Sequence, residues 1–257
     1  MPHGSWFSFL PFHDRFVHYA AEHWGKDGAT WIGHAPVGVE HVYGSLFVLS
    51  LIALFGVITD TSLRNAKDVV PENKLTIRTF MELMVETIYR MMSDVMGKKA
   101  ARYFMPLIGT CAIFILLSNA IGLVPFFLPP TDSLNTTLAF GVIIFVATHI
   151  YGLKENGMKH VAHLFGPWLG PLGLPLNILL FFIELVSHIV RPLSLGIRLM
   201  ANMMADHMVL TIFLGLVPFL VPLPMYILGT IVVIVQALVF SLLSTVYIGM
   251  AIEHADH

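Results

Sequence analysis

Hydrophobic positions run along this 257-residue chain in blocks too long for the alternating faces of a soluble fold. Residues 103–131, 133–153, 160–183 and 207–252 carry no Lys, Arg, Asp or Glu. A spanning helix needs about 20 apolar residues. The pattern therefore predicts an all-α integral membrane protein forming one membrane domain over 1–257. After an N-terminal arm over 1–41, spans are expected at 42–58, 104–124 and 137–153. Two longer apolar segments, 176–216 and 224–252, form a terminal hairpin. Its turn, VPFLVPLP, holds three prolines that would break a helix. HLFGPWLGPLGLP, rich in Gly and Pro, marks the connector before the hairpin.

Between the first two spans the pattern changes period. Thr79, Glu82, Glu86, Arg90 and Asp94 recur at helical spacing, and Leu83, Met84, Ile88, Met91, Met92 and Val95 fill the other faces. With Pro71 suited to a first turn, residues 71–97 read as an amphipathic helix at the membrane surface or against a partner. A solvated connector is the plainer alternative.

The segment 176–216 would be about 60 Å long as one helix, against a bilayer core of about 30 Å. Two spans broken at Pro192–Gly196 and one tilted helix both fit its length. Basic residues favour one crossing. Arg64, Lys67, Lys74, Arg78, Arg90, Lys98, Lys99 and Arg102 crowd one loop, 125–136 holds none, and Lys154 and Lys159 begin the next. The positive-inside rule then puts the N-terminus outside, the C-terminus inside and five spans between.

Composition agrees. The chain is 56% hydrophobic and 12% charged, half of the roughly 25% charge of soluble domains, with mean hydropathy +0.79. A net charge of −2 gives no footprint for nucleic acid. The one cysteine, Cys111, excludes a disulfide within the chain. No signal peptide is recognisable in residues 1–41.

Charge inside the apolar blocks is the informative exception. Along RPLSLGIRLMANMMADHM, residues 191–208, and the two turns before it, a helical wheel places Glu184, Ser187, Arg191, Ser194, Arg198, Asn202 and Asp206 within a wedge of about 120°. Polar groups gathered on one face of a span line a cavity or meet a partner, although Ser and Asn also serve as ordinary interhelical glue. Glu184 and Arg191 could snorkel or pair elsewhere. Arg198 is harder to dismiss, because a mid-membrane charge costs about 2.5–3.5 kcal/mol on insertion scales and arginine cannot shed its proton. Its counter-charge must stand on another helix or another subunit. On the last helix Gln236, Ser244, Tyr247 and Gly229 share a second face, with Gln236 a plausible orienting partner for Arg198.

RPLSLGIRLMANM, followed by VQALVFSLLSTVYIGMA on the final helix, closely resembles subunit a of the F-type ATP synthases along the whole chain. The resemblance implies a non-catalytic stator subunit, without cofactor, whose tilted hairpin curves around a rotating c-subunit ring. Peripheral stalk b subunits, the rest of the F1Fo complex and the lipid bilayer are its other implied partners. It makes Arg198 the fixed charge facing the ring carboxylate and Arg191 a supporting group. Asn119, Asn202, Asp206 and His207 fall to an outside proton half-channel. Glu184, Gln236, Ser244 and Tyr247 fall to the inside one. Two positions depart from the family pattern. Many bacterial relatives carry Gly–Glu where Asp206–His207 stand, and His or an acid where Gly229 stands, so waters are expected to fill the space at Gly229. A bacterial inner membrane is the expected location, with an organelle-encoded protein the alternative.

Two rival readings compete with this one. Thirteen histidines, including His160 with His163 and the span residues His188 and His207, would suit a membrane metalloenzyme, but no Glu-x-x-His or His-x-x-x-His pair supports a metal site. The arm histidines His3, His13, His18, His23, His34 and His41 read as surface residues. An independent ion transporter is the second rival, but the inverted repeats common in such folds are not visible.

Overall fold

The computed structural model describes residues 40–65, 76–124, 127–157, 174–216 and 222–253, together with Phe12, Arg15 and residues 17–19. The rest of the N-terminal arm with His3, His13, His23 and His34, the start of the amphipathic segment at Pro71, the connector with His160 and His163, and residues 217–221 of the proline turn lie outside the described residues.

Five long helices follow in order: α1 over Glu40–Asn65, α2 over Ile77–Gly122, α3 over Leu134–Asn156, α4 over Leu174–Leu216 and α5 over Pro222–Glu253. A short 3-10 turn, Pro130–Asp132, precedes α3. Each long helix contains a stretch long and apolar enough to cross a membrane. With no water to satisfy peptide groups in lipid, helices are the natural solution for such blocks. Gly157 closes α3 at φ 55, its N–H donating to the Leu153 carbonyl at 2.8 Å.

The amphipathic segment and the second apolar block are two helical stretches within Ile77–Gly122, separated by a non-helical kink at Gly97 (φ 79, ψ 158). That conformation favours glycine, which has no Cβ to clash. The break lets the first half turn its apolar face inward. Ile88 and Met92 pack with Ala101, Phe104, Ile108, Ala112 and Ile248 of α5. So the segment packs on this chain's own last helix. Its charges pair along the helix, Arg78 with Glu82 at 2.8 Å and Arg90 with Glu86 at 2.5 Å.

A second cluster joins four helices: Cys111 and Ile115 of α2, Ile144 of α3, Leu195 and Leu199 of α4, and Ala237 and Phe240 of α5. Close helix approach makes it possible. A Cβ on Gly141 of α3 would lie 2.5 Å from the Pro192 carbonyl oxygen, and one on Gly196 of α4 would lie 3.0 Å from Leu138 Cα. Small residues at such crossings are how membrane helices gain packing energy.

α4 is one helix of 43 residues with Pro192 inside it. Proline removes one N–H from the ladder, and the adjacent Ser194 hydroxyl donates to the Arg191 carbonyl at 2.9 Å. At about 65 Å, this helix exceeds the thickness of a bilayer core roughly twofold. A straight perpendicular crossing would leave much of its apolar length in water, so its length calls for tilt.

A strip of polar groups along α4 and its neighbours

The buried face of α4 is Leu195, Gly196, Leu199, Met203 and Leu210. The polar wedge lies beside that face. Arg191, Asn202, Asp206 and His207 are half-buried, and Arg198 is exposed on the outward side of the helix. Around Arg198 that outward side is apolar, with Ile197, Met204 and Met208 also exposed. Among the described residues no carboxylate pairs with Arg198, and no hydrogen bond joins it to Gln236. The expected orienting contact is therefore absent from this arrangement. Gln236 is half-buried one step from the Ala237–Phe240 core face.

Toward the N-terminal end of α4, three expected residues come together with two others. The Arg191 guanidinium carbon sits 5.7 Å from the ring centroid of Tyr247, within cation–π range. Glu184 Oε1 lies 3.4 Å from Nδ1 of His188, whose ring stands edge-on to His149 of α3 with centroids 5.3 Å apart. The sequence places His188 in a span but gives no sign of its neighbour, because His149 is on a different helix. Ser244 is fully buried on α5, and its hydroxyl has no partner among the described residues. An orphan hydroxyl in a core is a costly arrangement and a natural position for a water.

Toward the other end of α4, the loop before α3 joins the strip. Thr131 donates its hydroxyl to Asn119 Oδ1 at 2.6 Å, both residues being fully buried. Next to it, Asp132 is held above the ordinary carboxylate pKa by burial, an effect partly offset by the nearby His207. Asp132 Oδ1, Asn119 Nδ2 and Asp206 Oδ2 are all buried without a hydrogen-bond partner among the described residues. Asp132 is a site residue that the sequence reading missed. Its signal is there, for it is the only charged residue between 103 and 153.

Gly229 behaves differently from expectation. A Cβ there would lie 2.7 Å from Leu123 Cδ2, so a leucine side chain occupies the space where waters were expected. The reason is ordinary packing: α2 ends beside α5, and its apolar end fills the notch a glycine leaves.

Among the described residues, no group of three His, Cys, Asp or Glu side chains is arranged to hold a metal ion. Instead, ionisable and orphan polar groups stand at both ends of α4, and one unpaired cation lies between them. Fold and strip together define a multi-pass helical membrane protein with ionisable side chains spaced along one long helix.

Comparison with known proteins narrows that class. Residues 44–249 match the family described as ATP synthase A chain, and the chain belongs to that family. It is 47% identical over 236 residues to "ATP synthase subunit a" of Sorangium cellulosum (strain So ce56), covering 90% of each chain. The protein of that name in Geobacter sulfurreducens is 48% identical over 181 residues, covering 70% of this chain and 76% of its own. Its counterpart in Geotalea daltonii is 41% identical over 226 residues, covering 87% and 92%. These relatives are bacterial, and with five apolar helices the chain is a multi-pass inner-membrane protein.

Proposed function

We propose that this chain is the proton-translocating stator subunit of a rotary ATP synthase, with Arg198 as the fixed charge opposite a carboxylate on a rotating ring of c subunits. The observation that carries the reading is the state of Arg198: a permanent cation on an apolar outward face, with no acid of its own chain beside it among the described residues. Such a charge needs an anion, and one arriving on a neighbouring subunit fits an exposed position. Nucleotide chemistry belongs to other subunits, and the peripheral stalk holds this one still.

The remaining groups sort into two half-channels. Protons enter from outside through Asn119, Asn202, Asp206 and His207, joined by Asp132, and neutralise a ring carboxylate. Uncharged, that carboxyl turns into lipid. After nearly a full rotation it meets the inside half-channel of Glu184, Gln236, Ser244 and Tyr247. There the Arg198 cation favours its deprotonation, because a nearby positive charge stabilises the carboxylate. Arg198 also keeps the two half-channels apart, since a guanidinium that holds its proton relays none. The N-terminus lies outside and the C-terminus inside.

Each proton crossing 100 mV yields about 2.3 kcal/mol, so several must combine per synthesis, as a multi-site rotor allows. The test is Arg198→Lys in the assembled enzyme, read by ATP-driven proton pumping into vesicles. A lysine can lose its proton when desolvated, so coupled pumping should fail. Near-normal pumping would overturn the reading.

A further inference from the structure

The crossing of α3 and α4 at Gly141 and Pro192 leaves a small cleft toward the N-terminal end of α4. Thr148 and His149 of α3, His188 and Arg191 of α4, and Tyr247 of α5 line it. Its volume of about 20 Å³ suffices for one water. Polar side chains from three helices thus meet at one water-sized space inside an apolar bundle.

The two imidazoles are held in matching ways. His149 Nδ1 is 3.0 Å from the Phe145 carbonyl, and His188 Nδ1 is 2.9 Å from the Glu184 carbonyl. A carbonyl oxygen only accepts, so in each ring Nδ1 is the donor and Nε2 carries the lone pair. His188 Nδ1 also faces Glu184 Oε1 at 3.4 Å. Along α4, measured from Arg198, Arg191 is about 10 Å away, His188 about 15 Å and Glu184 about 21 Å. These groups form a graded series leading away from the fixed charge.

We propose that His149 and His188 are proton-carrying groups of the inside half-channel, with Glu184 as their outlet. The proposal rests on the half-channel reading above and adds two residues that the sequence motif does not contain. A proton released beside Arg198 reaches the cleft water and binds Nε2 of His188, directly or after Nε2 of His149 has held it and returned it through the water. His188 then gives up its Nδ1 proton to the Glu184 carboxylate, leaving a neutral ring protonated at Nε2. Exchange with the cleft water, one proton leaving Nε2 as another binds Nδ1, restores the starting tautomer, and Glu184 releases its proton to the inside solution. The ionisable groups lining the cleft are His149 from α3, His188 and Arg191 from α4, and Tyr247 from α5, with Glu184 standing beside His188. Lys154, further along α3, sits instead over the Tyr151 ring at 6.0 Å. Arg191, engaged with Tyr247, is a fixed cation on the wall and carries no proton.

The test uses the whole enzyme in vesicles, with passive proton conductance measured after removal of the nucleotide-binding sector, across a range of inside pH. The variants are His149→Gln, His188→Gln and the pair together, with assembly quantified for each. Glutamine keeps a hydrogen-bonding side chain of similar reach but does not titrate near neutral pH, so a merely structural histidine tolerates it. The double variant should lose conductance roughly tenfold, less than the 100-fold or more typical of a lost acid–base group, because the cleft water partly substitutes. It should also lose one limb of the pH profile. Should the pair fail to assemble, each single variant is expected to flatten that limb. Wild-type conductance with a wild-type pH profile in the assembled variants overturns the relay.

Arg198→Ala, measured in parallel by ATP-driven pumping, separates the two claims. Lost pumping in that variant beside normal histidine variants removes only the relay. Retained pumping in Arg198→Ala removes the half-channel reading itself.

Discussion

Gly141→Ala should loosen the crossing that carries the site, by an amount that follows from the geometry. The added methyl would stand 2.5 Å from the Pro192 carbonyl oxygen and 3.2 Å from its carbon. That is about 0.9 Å short of an ordinary contact, and the obstacle is backbone, so no side-chain rotation relieves it. α3 and α4 must separate locally. Overpacking of this kind costs about 1–3 kcal/mol, with Gly141 expected at the upper end. Alanine returns about 0.5–1 kcal/mol through its better helix propensity, so a net loss of about 1–2 kcal/mol is expected.

Gly196→Ala is milder. Its methyl would meet Leu138 Cα at 3.0 Å, the Thr137 carbonyl oxygen at 3.1 Å and Leu138 N at 3.2 Å, a misfit of a few tenths of an ångström. Its net cost should be under about 1 kcal/mol by the same reasoning. Both substitutions strain one interface, so the double variant should cost less than their sum, because neighbouring changes do not add. Gly56→Ala on α1, where nothing lies within 4 Å, is the control. The assay is thermal unfolding of the solubilised complex, followed by ATP-driven pumping. Gly141→Ala should melt lowest and pump least, since α4 carries Arg198 two residues beyond Gly196. A midpoint for Gly141→Ala equal to or above that of Gly56→Ala would refute the packing argument.

Thr131→Val removes the 2.6 Å bond to Asn119 and leaves a fully buried amide unpaired, at a cost of about 1–3 kcal/mol in thermal stability. Asn156→Ala removes the 2.7 Å bond to the Ala251 carbonyl that ties the end of α3 to the end of α5, with a loss of similar size in the same assay. Asp132 supplies a pH-dependent prediction. Burial raises its folded-state pKa above the ordinary 3.8, so the folded chain holds that proton more tightly than the unfolded chain. The resulting stability is present below 3.8 and is lost as pH rises through the folded value. Asp132→Asn should therefore be more stable than the parent chain at pH 7 and match it near pH 3.5. A stability difference that does not change with pH would refute this.

Membrane solvation makes part of this molecule legible in the chain alone. Apolar runs in lipid must be helical, and five such helices are present. Charges stand out against an apolar background, which is why Arg198, Asp206 and Glu184 can be picked from the sequence. What depends on helix pairing cannot. His149 and His188 lie on different helices, and only the Gly141–Pro192 approach brings their rings to 5.3 Å. Leu123 at Gly229 is the same kind of fact. A glycine in the sequence shows that a side chain is missing, not what moves into its place. Gly97 is a legible boundary, because a glycine in a charged stretch is where the amphipathic helix gives way, through a non-helical kink, to the apolar one.

The unpaired state of Arg198 also bears on why the site is built as it is. A carboxylate on a neighbouring helix of this chain would supply the anion that a cation in apolar surroundings calls for. It would also neutralise the charge that, in the proposed function, a visiting carboxyl meets. Near the two proposed pathways, Asp206 Oδ2, Asp132 Oδ1 and Ser244 Oγ likewise lack partners among the described residues. By that logic, introducing an acid beside Arg198 should make the isolated subunit more stable and the assembled enzyme inactive, because the fixed charge would already have its anion. Ala201→Glu, one turn from Arg198 at an exposed position of α4, is the direct way to see whether both changes occur together. A variant that gains stability and still pumps would separate the charge of Arg198 from its proposed role.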